Sequence, residues 1–322
     1  MEIIRRGPPD DPVVWCFPDF MPEHMAVTDR WPFTIARHLA ISRAEPMIHA
    51  AVGNNDDVRK LVIGALATLT AVMVGAVGID FGAAIYAEYR LARSVRSAAD
   101  LTWDPSVAIL GFPFVPQAMD RHYDEVEIKA GGVDHPVIGK ASLEATLHSV
   151  DLGQGSWLIP PDATLVVGKV ESRIILDSTH IGRYMGIPDL LVEAPTEESN
   201  DSTGGTTESG ISSNRGLVFT GTPKKVGFDQ KVSIAVDLSI AGPDATTLVM
   251  SATGVLTGPG TADQAVPDDQ LAAVLTAFST RLPGQKLPFG IAPSSEGARG
   301  SDVIIEGITE GVTIKLDEFN LS

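Results

Sequence analysis

Residues 61–79 read LVIGALATLTAVMVGAVGI, nineteen consecutive residues without a charged side chain. At about 1.5 Å per helical residue, this stretch spans about 28 Å, close to the ~30 Å hydrocarbon core of a bilayer. A buried helix of a globular domain is the alternative, but such a helix normally carries one polar face. The stretch therefore predicts a single transmembrane helix, with Lys60 at one end and Asp80 at the other.

Basic residues beside this stretch predict its orientation. Arg59 and Lys60 directly precede it, whereas the first basic residue after it is Arg90. Over about twenty positions on each side the basic residues balance, so the immediate flank decides the orientation. Because basic flanks tend to stay in the cytoplasm, we expect a cytoplasmic N-terminus and a C-terminal domain outside the inner (cell) membrane, on the periplasmic side.

The end of the apolar stretch also resembles a signal-peptidase site. Ala76 and Gly78 have the small-x-small spacing that this protease recognises. The apolar run is longer than that of a usual signal peptide and sixty residues precede it, which favours an uncleaved anchor. A translation start at Met47 is an alternative, since it would leave a short leader ending at Arg59 and Lys60.

Residues 1–60 differ in composition from the rest of the chain. Proline fixes φ and lacks an N–H donor, so long helices and central strands are disfavoured where prolines are frequent. We expect a mostly disordered cytoplasmic tail. Cys16 is the single cysteine, so no intramolecular disulfide can form, and it lacks the context of a lipidation site. The prolines of this region are Pro8, Pro9, Pro12, Pro18, Pro22, Pro32 and Pro46.

The sequence after the membrane stretch predicts a long amphipathic helix. Residues 81–101 read FGAAIYAEYRLARSVRSAADL, in which apolar side chains recur at helical spacing and Pro105 follows the end. Small residues would let this helix lie close against a sheet. The predicted apolar stripe comprises Phe81, Ala84, Ile85, Tyr89, Ala92, Val95 and Ala99.

Alternation of apolar and polar residues predicts antiparallel strands for most of the remaining chain. It is clear at 141–148 and 232–240, and a terminal hairpin is expected around Glu310 and Gly311. Helices are expected at 178–185 and 268–282, the second capped by Asp268 or Asp269. Residues 196–214 are polar and predict a flexible acidic loop. The expected fold class is α+β, with a long curved antiparallel sheet around a long helix, over residues 81–322.

Two proline-phenylalanine turns interrupt this pattern. Residues 109–117 read ILGFPFVPQ and residues 287–291 read LPFGI. Because Pro113 and Pro116 cannot donate to a sheet ladder, Phe112 and Phe114 are held on a stiff turn at a sheet edge. Either these rings fill one end of a core or they border an apolar opening. Phe289 has the same two interpretations at the other turn.

Composition and motifs exclude several functions. The net charge of −17 argues against a nucleic-acid partner, which would require clustered Lys and Arg. The sequence contains no nucleophile, phosphate-binding or zinc-protease motif, so we expect no catalytic residue, metal or cofactor. His122, with Asp120 and Asp124 beside it, is the local cluster most similar to a metal site, but a solvated polar loop is the preferred interpretation.

The turn residues carry a resemblance to a known family. The pattern V-x-I-x-GFPF-x-x-Q, from Val107 to Gln117, with Leu147 and Val150 further on and the later LPFGI turn, resembles the LmeA family of actinobacterial phospholipid-binding proteins. The resemblance covers about residues 75–322. Val115-Pro116 departs from the family pattern, so the local strand is expected to end early, and the insert near residue 200 looks like an addition.

The resemblance implies a fold similar to tubular lipid-binding proteins and a phospholipid ligand. It also implies a role in maturing envelope glycolipids of the lipomannan type. We therefore expect a non-enzymatic protein that binds and transfers phospholipid, with an acyl chain between the helix stripe and the sheet. Arg90, Arg93 and Arg96 either meet a headgroup phosphate or form a solvated face. The predicted groove residues are Phe81, Ile85, Tyr89, Ala92, Val95, Phe112, Phe114 and Phe289.

Two other function classes stay open at this point. An envelope hydrolase or glycan-modifying enzyme would require carboxylates that converge in space, or a working site at His122. A structural scaffold of the envelope would have a filled core without a groove. The lipid headgroup, the direction of transfer, the oligomeric state and any protein partner are not determined by the sequence.

Overall fold

A computed structural model of the protein describes residues 55–153, 155–194, 216–242 and 245–320. The chain divides into two compact units, Met1–Leu61 and Val62–Ser322, and the sheets and the core belong to the second. Residues 1–54 of the predicted tail, and the predicted loop at 196–214, lie outside the described residues.

The described part of the chain is an α+β structure with two antiparallel sheets, which confirms the expected fold class. Its helices are α1 (Asn55–Ala98), α2 (Phe114–Asp120), α3 (Ser178–Met185) and α4 (Asp268–Ala277). Its strands are β1 (Ser106–Leu110), β2 (His122–His135), β3 (Gly139–Leu152), β4 (Thr164–Asp177), β5 (Leu191–Glu193), β6 (Leu217–Gly221), β7 (Val232–Ala241), β8 (Thr247–Leu256), β9 (Thr280–Leu282), β10 (Ser295–Arg299) and β11 (Asp302–Lys315).

Helix α1 joins the predicted membrane stretch to the predicted amphipathic helix without a break, over 44 residues. No proline interrupts it, and Asp56 and Asp57 lie in its first turn, where carboxylates favour the positive end of the helix dipole. Its C-terminal end is tied to the C-terminus of the chain, because the Asn320 side-chain amide donates to the Ala99 carbonyl at 2.9 Å.

The first sheet has six strands in the order β1-β2-β3-β4-β11-β10, and the second has five in the order β5-β6-β7-β8-β9. Strand β1 is thus an edge strand, paired with β2 on one side. Both sheets contribute to one hydrophobic core, which includes Leu143 and Ile174 from the first sheet and Phe219 and Ile234 from the second.

The predicted hairpin around Glu310 and Gly311 is wrong. Strand β11 passes through these residues and stays paired with β4 on both sides of them, from Asp302↔Asp177 to Lys315↔Thr164. Gly311 has a φ of +62°, and the pairing skips it and the opposing Gly168 while the register stays the same on both sides, so the strand continues through a local irregularity. A glycine between two apolar runs therefore marks a bend here rather than a reversal of the chain.

The helix predicted at 268–282 ends at Ala277, and its last residues form strand β9 instead. Leu282 pairs with Leu248 of β8 and is fully buried, which stabilises the extended conformation. The N-cap of α4 is Pro267 and makes no side-chain bond, so the predicted aspartate cap is also wrong. Helix α3 has the predicted bounds, and the Asp177 side chain caps it by accepting from the Thr179 N–H.

Candidate functional site

The N-terminal half of α1 is apolar on all sides and exposed. Every described side chain from Asp56 to Ile79 is solvent-exposed, and residues 61–79 carry no charge. The helix is long and apolar enough to cross a membrane. In water these side chains would be unfavourably hydrated, whereas in a bilayer they would meet hydrocarbon.

The C-terminal half of α1 packs on the domain with a face other than the predicted one. The buried face contains Ala87, Leu91, Val95 and Ala99, joined at its start by Asp80. At 100° per residue, this face lies about a quarter turn away from the centre of the predicted stripe. The prediction that the whole stripe faces the sheet is therefore wrong, since Val95 and Ala99 are buried whereas Phe81, Ile85 and Tyr89 are exposed.

What remains of the predicted stripe is an exposed apolar strip. Phe81, Ile85 and Tyr89 follow one another at four-residue spacing along α1 and are 57%, 64% and 50% exposed. We call these residues the apolar strip. It begins two residues after Ile79, so it continues the exposed surface of the membrane half into the domain. Ala92 lies further along the same side and is half-buried.

Arginines follow the strip along α1. The Arg93 guanidinium lies 4.7 Å from the centroid of the Tyr89 ring, and that of Arg90 lies 6.0 Å from the Tyr86 ring. Arg96 pairs with Asp104 at 3.4 Å. Cation–π contacts keep the guanidinium groups of Arg90 and Arg93 beside the helix. Their N–H donors stay exposed to solvent. The strip therefore runs from an apolar end to a basic end.

Asp80 fixes the first proline-phenylalanine turn to α1. Its carboxylate oxygens accept from the backbone N–H groups of Phe114 at 2.8 Å and Val115 at 2.7 Å, the first residues of α2. These bonds satisfy donors that a helix N-terminus leaves free. About two turns further along α1, Glu88 accepts from the Ile109 N–H at 2.9 Å and holds edge strand β1 beside the helix.

The two phenylalanines of this turn have opposite environments. Phe114 is buried against Tyr123 and Trp157, as expected for a ring that fills the end of a core. Phe112 is 66% exposed and stacks on Phe81, with ring centroids 6.0 Å apart. Phe114 therefore fits the interpretation of a ring that fills one end of a core. Phe112 is exposed, as expected for a ring that borders an apolar opening.

Gly111 and Gln117 of the motif have a structural role. Gly111 has a φ of +104°, and a Cβ built there would lie 2.6 Å from the Gln117 side-chain nitrogen. The Gln117 side-chain oxygen accepts from the Asp124 N–H at 2.9 Å, which joins α2 to β2. Only glycine combines this backbone conformation with this close approach.

The remaining predicted groove residues lie in the core. Val95 is buried on the packed face of α1, and Phe289 is buried with its ring centroid 5.5 Å from that of Phe319. Both side chains thus belong to the hydrophobic core. Phe289 is therefore not brought together with the strip, whereas Phe81, Ile85, Tyr89 and Phe112 are exposed near the start of the domain.

An open cavity of about 590 Å³ lies beyond the C-terminal end of α1. Its lining includes Asp100, Asp104, Asp134 and the buried His135. Carboxylates of this kind disfavour an alkyl chain, so the cavity is a poor site for the hydrophobic part of a lipid.

Ionisable groups elsewhere form ion pairs between strands. His122 pairs with Asp151 at 2.8 Å rather than with Asp120 or Asp124, and it begins β2 instead of lying in a loop. In the part of the chain that the structure describes, no three His, Cys, Asp or Glu side chains form a metal-binding group.

Glu171 lies at the centre of one such network. It pairs with His148 at 3.4 Å, Lys169 at 2.8 Å and Arg173 at 2.7 Å. Burial acts to raise the pKa of Glu171, but the hydrogen bond and charge of Lys169, together with the charges of Arg173 and His148, outweigh it and lower this pKa below its usual value. The carboxylate is thus held in its ionised form by Lys169 and Arg173 of its own strand, β4, and by His148 of the neighbouring strand, β3.

Sequence analysis missed two features of this region. Asp80 was treated as the end of the membrane stretch, although it is buried and holds the turn. Met119 on α2 is exposed, and its position was not predicted because α2 itself was not. A lone carboxylate directly after an apolar run, with a proline-rich turn some thirty residues later, is the sequence signal that could have suggested the first feature.

These features define an α+β protein with a membrane-type helix that carries an exposed apolar strip into the domain. The family model described as LmeA-like phospholipid-binding matches residues 78–308, which covers most of the chain. The protein therefore belongs to the LmeA-like phospholipid-binding family, which is a lipid-binding family and not a known enzyme family. Comparison with curated proteins gave no match, and comparison with solved structures also gave none.

Proposed function

We propose that the protein is anchored by α1 in the cell membrane and binds one phospholipid along the apolar strip. The observation that carries this proposal is the continuity of the exposed apolar surface from Ile79 through Phe81 and Ile85 to Tyr89. A lipid acyl chain can leave the bilayer along this surface without crossing a polar barrier. Family membership supports phospholipid as the ligand.

Burial of the acyl chain supplies the affinity. At about 0.8 kcal/mol per CH₂ group, a dozen methylenes contribute about 10 kcal/mol before ordering costs. The strip alone covers one side of a chain, so binding includes a local separation of α1 from edge strand β1. The two elements are joined there by the Glu88 to Ile109 hydrogen bond, and the adjoining helix face is rich in alanine.

The basic end of the strip fits the phosphate of the same lipid. Arg90 and Arg93 hold their guanidinium groups beside Tyr86 and Tyr89, one to two helical turns beyond Ile85. Guanidinium groups bind phosphate oxygens through charge-assisted, often bidentate, hydrogen bonds. A phospholipid with its acyl chain on the strip would thus meet cations at its headgroup.

The location and cellular role follow as parts of this proposal. The domain lies outside the inner membrane with the N-terminus in the cytoplasm, as the flanking Arg59 and Lys60 predict. It acts without catalysis, by binding and transferring phospholipid in support of envelope glycolipid maturation of the lipomannan type. Neither a cofactor nor a nucleic acid takes part.

A lipid-uptake experiment tests the proposal. The full chain, delipidated in detergent and reconstituted, is incubated with donor liposomes containing radiolabelled phospholipid, and bound label is counted per protein. We expect one lipid per chain. Ile85→Ser should weaken uptake about 10-fold, because the apolar contact of a large aliphatic side chain is worth about 1.5 kcal/mol or more.

Ile308→Ser is the matched control, since Ile308 is an exposed isoleucine on β11, away from the strip. It should leave uptake unchanged. Absence of stoichiometric uptake by the unaltered protein, or equal uptake by both variants, would refute binding on the strip.

A further inference from the structure

We infer that the turn formed by Phe112, Pro116 and Met119 inserts into the membrane beside α1, as a second point of contact with the bilayer. We call these residues the apolar turn. The inference rests on the anchoring of α1 in the membrane that is proposed above, and it does not require that the domain take up a lipid.

Asp80 sets the position of this turn relative to the membrane helix. It comes directly after the uncharged stretch 61–79, and its carboxylate binds the N–H groups of Phe114 and Val115. The first residues of α2 are therefore held at the level of the helix where the apolar stretch ends. The stack of Phe112 on Phe81 holds the turn at the same level on the exposed side of α1.

The exposed surface of the turn is apolar. Phe112 is 66% and Met119 is 74% exposed, and Pro116 is also exposed. Residues 109–119 contain no charged side chain. The other side of α2 is buried through Phe114 and Ala118, so this short helix has apolar residues on both sides as far as its last residue, Asp120, which is charged and exposed. A water-facing helix normally places polar residues on its outer side.

Aromatic side chains concentrate around the same level. Trp157 contacts the rings of both Tyr86 and Phe114, and Phe81 stacks on Phe112, in a chain with only 6% aromatic residues. Tyrosine and tryptophan are enriched where a membrane meets water. The bilayer is the occupant that these observations favour, because the turn is continuous with a helix of membrane-spanning character and is held at its boundary.

The depth of the turn can be measured on the full chain in liposomes. In a Cys16→Ser background, single cysteines replace Met119, Phe112, Trp103 or Val72 and carry a nitroxide label. Trp103 is the matched control, because it is 75% exposed, as Met119 is, but follows the far end of α1. Val72 marks the middle of the membrane stretch. Collision of each label with oxygen and with a water-soluble nickel chelate is recorded by electron paramagnetic resonance.

We expect the labels at positions 119 and 112 to collide with oxygen in preference to nickel, as at position 72, and the label at 103 to show the opposite preference. Equal, water-like behaviour at 119 and 103 would overturn the inference. Shielding from both reagents would place protein over the turn, and spin–spin broadening between labels would place a second copy there. Either result would also overturn it.

The two proposals fail separately. Loss of lipid uptake with a deep label at position 119 would refute the binding function and leave the membrane contact in place. Lipid uptake together with a water-exposed label at position 119 would refute the membrane contact and leave the binding function in place. Because Met119 is largely exposed, its replacement is not expected to disturb folding, and the helical circular dichroism of each labelled protein checks this.

Discussion

The two halves of α1 are both apolar, yet they meet different surroundings. Before Asp80 every described side chain is exposed, whereas after it Ala87, Leu91 and Val95 are buried against the domain. The first half has Leu, Ile and Val around its whole circumference, and the second places alanines on the face that packs. The comparison teaches that one continuous helix can leave its apolar side chains exposed in one half, as a membrane helix does, and bury them against protein in the other.

Asp80 marks the boundary between these halves. A carboxylate is unfavourable in hydrocarbon, and in this position it is satisfied by two backbone donors of α2. The helix therefore continues across the boundary while one of its faces passes from exposed to buried. The apolar strip differs from both halves. It lies after Asp80, in the half that packs on the domain, but its side chains are exposed like those before Asp80.

The largest effect is expected from shortening a buried leucine. Leu91 is 2% exposed, so Leu91→Ala should lower the free energy of unfolding of the domain by about 3 kcal/mol. Leu66→Ala changes the same residue type in the exposed half and should leave the domain's stability unaltered. Thermal unfolding of the full chain in detergent measures both. Equal losses of stability in the two variants would show that the two halves of α1 do not differ in how they pack on the domain.

Removal of the boundary carboxylate should cost somewhat less. Asp80→Ala leaves the buried N–H group of Phe114 and the partly buried N–H group of Val115 without an acceptor, at a cost of about 2 kcal/mol. Asp80→Asn keeps one acceptor oxygen and should lose about half as much. Asp120→Ala, at an exposed position of α2, is the control. Denaturant titration is the measurement, and an Asp80→Ala protein as stable as this control would contradict the assignment.

A smaller effect is expected at the basic end of the strip. Arg93→Gln removes the guanidinium above Tyr89 and should weaken binding of an anionic phospholipid several-fold, with less effect on a neutral one. Arg183→Gln changes an exposed arginine on α3 and should have no effect. Uptake from liposomes of each composition, at low and high salt, tests this. A loss that is the same for both lipids would argue against a phosphate contact.

Mild acid should change the stability of the domain after Asp80 and not the properties of the apolar stretch, because residues 61–79 contain no titratable side chain. Burial lowers the pKa of His135 below its usual 6.5, and the neighbouring Gln285 amide opposes part of this effect. The unfolded chain then takes up the proton more readily than the folded protein. Stability should therefore be fully present at pH 7 and fall as the pH drops below about 6.5.

His135→Gln should flatten this dependence, whatever its effect at pH 7. His122→Gln, which changes a partly exposed histidine paired with Asp151, should leave the slope in place. Melting temperatures between pH 7.5 and 5.5 provide the comparison. An unchanged slope in His135→Gln would assign the acid sensitivity to another group.

The sequence predicted the elements that have a strong period or a clear boundary. The uncharged run 61–79 and the bounds of α3 are of this kind, since their signals are local. The conformations of Gly311 and of residues 280–282 were predicted wrongly. Pairing with β4 decides the first, and pairing with β8 decides the second. Long-range pairing of this type is not encoded in the neighbouring residues.

The site was predicted less completely than the fold, for a related reason. Helical periodicity identified the residues from Phe81 to Val95 as apolar, but it does not state which part of a wide apolar face is covered. The carboxylates of Asp80 and Glu88 decide this by binding α2 and β1. Phe112 and Phe114 are two positions apart in sequence, and only the direction of α2 determines that one is exposed and the other buried.

Photo-crosslinking tests most directly whether the strip binds lipid. The full chain is reconstituted with a phospholipid that carries a photoreactive group at the end of one acyl chain, and the labelled peptides are identified by mass spectrometry. We predict adducts on residues 81–93 in addition to the membrane stretch, reduced in Ile85→Ser but not in Ile308→Ser. Adducts confined to residues 61–79 would contradict the account, since the domain would then bind no lipid chain.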